Sequence, residues 1–522
     1  MPTEISIELS PAQASSQETI RFLAAKKLGA HPSKFGDIRI TRKSIDARQG
    51  RVKVNMGLKV YNSNEKLTDD YPEFNYQVVS SKPEVIVVGA GPAGLFAALR
   101  LIELGLKPII VERGKDVSSR KRDVALLNRN ISLNPESNFA FGEGGAGTFS
   151  DGKLYTRSRK RGDIGRILRI LHQHGAQDEI LYEAHPHIGT NVLPRVIAAI
   201  RRTIESFGGE FIFNSRVDEL IISAGSISGV KLNDGQRLLS KAVILATGHS
   251  ARDVYQMLWN QNVVLEAKPF AMGVRVEHPQ ALIDSIQYHG LDRGDYLPAA
   301  SYRLVQQVDG RGVYSFCMCP GGFIVPAVSA GNEIVVNGMS PSLRNSKWAN
   351  SGIVVEVKLD DLAHLSKHGP LAGLHFQQQM EQLAFQNRDR SNVTAPAQRL
   401  DDFVAGRASS KLPVCSYNPG VTPSSLNSWM PEWIVKRLQE GFKHFDRKMR
   451  GFITSEALVV GVESRTSSPV RIPRDSETLE HISLKGLFPS GEGAGYAGGI
   501  VSSAVDGERS AEAVAINIFG VT

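Results

Sequence analysis

Between Glu84 and Gly114 the chain reads EVIVVGAGPAGLFAALRLIELGLKPIIVERG, and few stretches of this length restrict a fold so strongly. Val85 to Val88 is an uninterrupted apolar run, as expected of a strand buried on both faces, and Gly89, Gly91 and Gly94 follow at G-x-G-x-x-G spacing. Gly89 permits a tight turn, Gly91 lets the backbone approach a pyrophosphate, and Gly94 lets the next helix lie close to the sheet. Pro92 suits the first helical turn, where its missing N–H had no partner anyway. Ala93, Phe96, Ala97, Leu101 and Leu104 give the helix an apolar face, and Gly105 ends it. A second buried strand, Ile109 to Val111, stops at Glu112, near the spacing at which an acidic side chain meets a ribose hydroxyl. The stretch predicts the βαβ start of a nucleotide-binding sheet.

The same glycine spacing occurs twice more, which shows how little it means alone. Gly142, Gly144 and Gly147 follow SNFAF and precede the basic SDGKLYTRSRKR, so neither strand nor helix is expected around them. Gly493, Gly495 and Gly498 lead into a helix, but no second strand follows. Only the first copy has the context that turns spacing into a dinucleotide site.

At 522 residues the chain exceeds what one core usually supports, and 41% hydrophobic content is ample for packed interiors. Three cysteines make no disulfide framework and point to a reducing compartment. MPTEISIELS lacks a basic segment followed by an apolar core, and no apolar run reaches membrane-spanning length. The expectation is a cytoplasmic enzyme without a membrane partner.

Residues 1 to 80 read as a small α+β domain: a strand at Ile5 to Leu9, a helix at Gln17 to Leu28, and strand-like runs at Asp37 to Thr41 and Arg51 to Tyr61 around the DARQG turn. The linker Ser80-Ser81-Lys82-Pro83 separates it from the fingerprint strand. Residues 83–265 read as the first part of the nucleotide-binding domain. A helix from Asn191 to Phe207 is followed by strands at Glu210 to Phe213, Val217 to Ile222 and Ile227 to Leu232, and then KAVILATG at Lys241 to Gly248. Residues 266–452 break this rhythm and read as an inserted substrate domain, with polar helices near Leu371 to Gln386 and Glu432 to Lys443. Residues 453–522 return to the nucleotide domain, ending in a helix that turns Val501, Ala504, Val505, Ala511, Ala515 and Ile518 inward.

The GAGPAG turn with Glu112, the ATG turn at Ala246, Thr247 and Gly248, and a C-terminal Gly-acid turn before a helix together resemble the glutathione-reductase-type FAD-binding fold. The resemblance implies an extended FAD. Its AMP half would lie at Gly89, Gly91, Pro92, Ala93 and Gly94 with Glu112, and the flavin near Gly499. Arg113, Gly144, Gly145, Gly147, Ser150, Lys153, Val217, Gly491, Glu492, Gly498 and Ile500 are the further cofactor-binding candidates. Where that superfamily usually has Asp after the glycine, this chain has Glu492, one methylene longer. A narrower likeness rests on RKSIDAR (42–48), FGEGGAGTFSDGKL (141–154), PHIGT (186–190), CMCPGG (317–322), VNGMS (336–340), ESRTSSPVRI (463–472) and GEGAGYAGGI (491–500). These are similar to the bacterial FAD-dependent family called NAD(FAD)-utilising dehydrogenases, which implies a flavoprotein dehydrogenase of open substrate. A helix starting at Gly499 and Ile500 would aim its free N–H groups at the edge of a reduced flavin that carries negative charge.

The expected function is an FAD oxidoreductase passing hydride between a small-molecule substrate and the flavin, with NAD(P)H as a transient donor. Lys153, His187 and Arg465 are catalytic candidates, and Arg471 is a further anion contact. His185 and His187 lack metal-ligand companions, so no metal is expected. Lys153, Arg157, Arg159, Lys160, Arg161, Arg166 and Arg169 face Asp163 alone, a window that could supply most of the net charge of +8; it reads first as a solvated loop entering a helix, and second as a landing patch for a 2′-phosphate or a nucleic acid. Tyr155 is the only aromatic residue interleaved there, so nucleic acid is the less favoured partner and an RNA-modifying flavoprotein the alternative reading. Cys317 and Cys319, one residue apart, read as small packed side chains rather than a redox pair, because so small a disulfide ring is strained.

Overall fold

The computed structural model describes residues 2–48, 50–65, 71, 73–156, 162–388 and 393–520. Glu84–Val88 is the middle strand of a five-stranded parallel sheet, ordered Leu487–Pro489, Val243–Leu245, Glu84–Val88, Lys107–Val111, Glu210–Ile212. Both faces are covered, which is why the inner strands are continuous apolar runs instead of alternating. On one face lie helix Pro92–Glu103, the terminal helix Ile500–Phe519, and helices Ile164–Gln173 and Leu193–Ser206. On the other lie helix Arg252–Asn260 and a three-stranded antiparallel sheet, Val217–Ser223, Ser226–Leu232 and Arg237–Leu239. This is the expected α/β, FAD-type Rossmann arrangement.

Leu95, Phe96 and Leu99 of the fingerprint helix are at most 1% exposed, each contributing about 1.5–3 kcal/mol through burial. The terminal helix packs unusually close to it at Gly507, where a Cβ would stand 2.0 Å from the Ala93 carbonyl oxygen. That approach couples the C-terminal residues to the N-terminal glycine turn.

The inserted region builds a seven-stranded sheet in the order Val305–Val308, Arg311–Cys319, Trp348–Val357, Phe270–Pro279, Leu458–Glu463, Ala395–Arg399, Val421–Pro423, antiparallel except for its last pair. Helix Glu432–Lys448 lays Ile434, Val435, Leu438, Phe442 and Phe445 against the sheet's core. It outlasts the expected end at Lys443 because Phe445 prolongs the apolar stripe. Strand Leu458–Glu463 pairs inside this sheet, so the chain rejoins the nucleotide sheet only at Leu487–Pro489 rather than at 453. An antiparallel ribbon of Glu266–Ala267 against Val470–Arg471 marks where the chain leaves and where it comes back.

The N-terminal residues form a three-stranded sheet, Thr3–Leu9, Lys53–Asn62, Phe35–Asp46, covered on one face by helix Gln17–Lys27. The Ser16 hydroxyl starts that helix by accepting from the Thr19 N–H. The sheet is tied to the body by backbone hydrogen bonds between Lys43 and Tyr182 and between Ala184 and Lys43, at 2.8 and 2.9 Å. Among the described residues no helix is long and apolar enough to cross a membrane.

Candidate functional site

The three glycine turns and the ATG turn, scattered over four hundred residues of chain, meet at one end of the parallel sheet. A Cβ on Gly89, whose φ is +101°, would stand 2.5 Å from the Ala246 carbonyl oxygen, and one on Gly493 would stand 2.6 Å from that of Gly248. A Cβ on Gly491 would reach 2.8 Å from that of Ala93, and one on Gly147 would reach 3.1 Å from Ile500 Cγ1. Gly94 is barred from any side chain, since its Cβ would overlap the Gly89 carbonyl oxygen at 1.9 Å. Other glycines line open space: a Cβ on Gly248, Gly498 or Gly499 would meet nothing within 4 Å, and one on Gly91 only Gly145 Cα at 3.9 Å. No side chain caps the helices that start at Pro92 and Ile500, so their N-terminal N–H groups face this opening. Free N–H groups above a side-chain-free turn are a fit for a pyrophosphate.

The second glycine run lacks flanking strand and helix, as expected, yet it lies on the first. Gly144 N–H donates to the Ala90 carbonyl at 2.8 Å, and Gly145 would place a Cβ 3.1 Å from Gly91 Cα. Arg120, fully buried, holds this loop in place by donating to the carbonyls of Asn138, Phe139, Gly142, Glu143 and Gly145 at 2.8–3.1 Å. Burial holds its pKa down at about 10 against the pull of Glu112 and Glu143. Sequence reading missed Arg120, because nothing in RKRD separates an inward arginine from its exposed neighbours.

Glu112 is buried and accepts from Ala90 N at 2.9 Å, Gly114 N at 2.9 Å and Gly142 N at 3.0 Å. Each carboxylate oxygen carries more than one lone pair, so a ribose hydroxyl can still be received. Arg113 is held by Glu136 at 2.6 Å and Asp253 at 2.8 Å, with its guanidinium 4.1 Å from the Phe141 ring centroid. Val217 begins its strand two residues after Ser215, whose N–H bonds the Glu112 carbonyl at 3.0 Å. Ser150 spends its hydroxyl inside the loop, donating to Gly147 O at 2.7 Å and accepting from Gly152 N at 3.0 Å.

At the C-terminal turn, Glu492 Oε1 lies 3.5 Å from His249 Nδ1, and His249 Nε2 donates to the Arg465 carbonyl at 3.1 Å. The turn itself is pinned by Asp506, which accepts from Gly491 N at 2.7 Å and pairs with Arg474 at 2.6 Å. Sequence reading missed Asp506, a buried carboxylate among the inward residues of the terminal helix.

Of the catalytic candidates, two are engaged by hydrogen bonds within the fold. Arg465 is buried among Glu381 at 2.8 Å, Glu333 at 3.1 Å and Ser329 at 2.8 Å, with Arg252 bonded to the same two carboxylates. Four of its five N–H donors are spent inside the fold, on Glu381, Glu333 and Ser329. His187 gives its Nε2–H to the Ser342 carbonyl at 2.9 Å, and burial together with Arg344 lowers its pKa. Lys153 remains partly exposed, donating to the Met318 carbonyl with Asp151 3.7 Å away. Burial works to raise the Asp151 carboxyl, but Lys153 and Arg344 outweigh it and hold it below the usual range.

Near Lys153 stands Cys317, exposed and carrying a left-handed φ of +43°. Crowding around it pushes its thiol up to about 12 despite the nearby lysine. Cys319 is buried, donating to the Cys317 carbonyl at 3.2 Å, and both thiols are free. In the basic segment Arg166 is absorbed by Glu103 and Glu508, at 2.5 and 2.9 Å, and Arg169 lies 3.5 Å from Asp163. Arg157, Arg159, Lys160 and Arg161 fall outside the described residues.

A protein of Clostridium beijerinckii, described as uncharacterised, is 42% identical over 507 residues, covering 93% of this chain and 94% of its own. This chain belongs to that protein's family. Residues 84–287 match the family "Glucose inhibited division protein A", 269–466 match "FAD-dependent protein, C-terminal domain-like", and 1–61 match a domain of unknown function. The family is thus FAD-dependent and of the oxidoreductase class, and FAD is the cofactor that the glycine turns fit. A tRNA uridine 5-carboxymethylaminomethyl modification enzyme of Lactobacillus delbrueckii is 31% identical over 183 residues, 33% of this chain and 25% of that enzyme. A geranylgeranyl bacteriochlorophyll reductase-like structure from Thermoplasma acidophilum is 15% identical over 84% of this chain and 80% of that one, at a TM-score of 0.35.

Proposed function

We propose that this family member is a dehydrogenase of the NAD(FAD)-utilising kind, moving hydride between a small organic substrate and its FAD, with NAD(P)H as a passing electron donor. The carrying observation is the convergence of Gly91, Gly145, Gly248 and Gly499 on one opening that the uncapped terminal helix also faces. Bound there, FAD would supply the hydride chemistry through its ring. The chain's own part is to hold it: Glu112 for the ribose, the free N–H groups of Ala93 and Gly94 for the pyrophosphate, and the positive end of the terminal helix for negative charge on the reduced ring. Lys153 is the candidate cation left partly uncommitted for the substrate side. Among the described residues only one five-stranded parallel sheet is present, which supports a nicotinamide nucleotide that docks briefly without a crevice of its own. Free cysteines support a cytoplasmic setting.

The test is anaerobic mixing of the purified yellow protein with NADH or NADPH, following bleaching of the flavin absorbance. Weakly saturating bleaching supports the proposal. Tight saturation together with a nucleotide seated in a second crevice refutes the single-site reading. A second reading, an RNA-linked flavoprotein, is favoured by the eleven Lys and Arg against five Asp and Glu in residues 1–61 and by the partial likeness to the tRNA-modifying enzyme. RNA copurifying in stoichiometric amount would move the assignment there.

A further inference from the structure

The ribbon that joins the two sheets carries two cationic side chains that the fold leaves incompletely answered. Glu266 lies directly opposite Arg471, and Ala267 opposite Val470. The Lys268 N–H extends the pairing by donating to the Pro469 carbonyl at 2.8 Å. Strand alternation then places Glu266, Lys268 and Arg471 on one face. That face adjoins the C-terminal flavin turn: a Cβ on Gly495 would stand 3.2 Å from Arg471 Cα, and the Arg471 guanidinium is 5.8 Å from the Tyr496 ring centroid.

Lys268 is half-buried, and among the described residues its ammonium makes no hydrogen bond or ion pair. Burial and the neighbouring Arg471 both lower its pKa, and Glu492 offsets them in part. Arg471 has Glu266 Oε2 at 3.7 Å, beyond a hydrogen bond, while its Nε is buried with no partner. Three other buried cations meet carboxylates directly: Arg465 by Glu381, Arg474 by Asp506, Arg275 by Glu463 at 3.1 Å. Lys268 has no hydrogen-bonded partner, and Arg471 has Glu266 only at 3.7 Å, so the two cations keep donors that an anion from outside can answer.

We propose that Lys268 and Arg471 form a clamp for the anionic group, a carboxylate or phosphate, of the small substrate, at the edge of the flavin site. The clamp rests on the oxidoreductase reading above and adds its substrate class. An ammonium supplies a mobile point charge and a guanidinium a fixed planar fork, which together suit a two- or three-oxygen anion.

Two sources could supply such an anion, the substrate and the pyrophosphate of FAD, and the test separates them. The flavin spectrum of the holoenzyme is titrated with acetate and with inorganic phosphate, with chloride as an ionic-strength control. The same titrations are run on Lys268→Met, Arg471→Gln and Lys268→Arg. The clamp predicts a saturable perturbation by acetate or phosphate but not chloride. Its dissociation constant should rise at least about tenfold in Lys268→Met and in Arg471→Gln at unchanged FAD content, with recovery in Lys268→Arg. Equal constants in wild type and variants, or no saturable perturbation, overturn it. Loss of FAD from the variants also overturns it, assigning the charges to the cofactor. Should Lys268→Met fail to fold, Arg471→Gln decides alone. A protein that binds the anions but is never reduced by a nicotinamide nucleotide sinks the dehydrogenase reading and leaves the clamp standing.

Discussion

The Asp506 carboxylate accepts a 2.7 Å hydrogen bond from the Gly491 backbone N–H, fifteen residues earlier, while both of its oxygens pair with Arg474 at 2.6 and 3.0 Å. One buried carboxylate of the terminal helix therefore sets the turn that carries Glu492. Replacing Asp506 with Ala would leave the Arg474 guanidinium buried and unpaired, a loss of about 3–5 kcal/mol by the usual cost of breaking a buried pair. The expected outcome is an earlier thermal transition and weaker FAD retention, read from melting curves and flavin stoichiometry. Wild-type values for both would contradict the pinning role.

Gly91 and Gly94 should answer substitution in opposite ways. Gly91 has open space before it, so Gly91→Val should fold with a normal far-ultraviolet spectrum yet retain no flavin. Gly94→Ala must push a methyl into the Gly89 carbonyl, whose oxygen stands 1.9 Å from the ideal Cβ, so it should lose stability itself. Stoichiometric flavin in Gly91→Val would show that the cofactor does not approach this backbone.

Glu277 makes folding sensitive to pH on the neutral side. Burial raises its carboxyl from 4.5 to about 7, despite hydrogen bonds from the Ser416 N–H at 2.7 Å and from the Ser416 hydroxyl. A raised folded pKa means the native state holds the proton longer than the unfolded chain. Its contribution is full below about pH 4.5 and is lost as pH climbs through 7. Glu277→Gln keeps the shape without the charge, so its stability should exceed that of wild type at pH 8, with the gap closing at pH 5. A pH-independent gap in urea midpoints would place the effect elsewhere.

Cys317 should react slowly for an exposed thiol. With its pKa pushed up to about 12, little thiolate is present at neutral pH, so iodoacetamide labelling in the native protein should lag behind a free-cysteine standard. The Cys317→Ser, Cys319→Ser double variant should bind FAD and be reduced normally. A variant that keeps FAD but no longer exchanges electrons with its substrate would make the pair part of the redox chemistry.

The chain's local patterns determined the parts whose reasons lie within about thirty residues. The apolar run at Val85, the Gly89 to Gly94 spacing and the strand ending at Glu112 specify a βαβ unit, because a buried parallel strand and a side-chain-free turn have direct sequence equivalents. The N-terminal strands, the ATG turn and the terminal helix were legible for the same reason. Only the tertiary structure decided what long charged side chains do. Arg465 looked available in ESRTSS until Glu381, 84 residues away, was brought against it. Arg120 looked like surface until the carbonyls of the second glycine run closed around it, 18 to 25 residues on. The clamp residues stand 203 positions apart and meet because an antiparallel ribbon sets Glu266 opposite Arg471. Backbone form follows from side-chain size and periodicity, which neighbours in sequence carry. The fate of a charge depends on its desolvation and on the partner that folding brings from afar, and no local pattern records either.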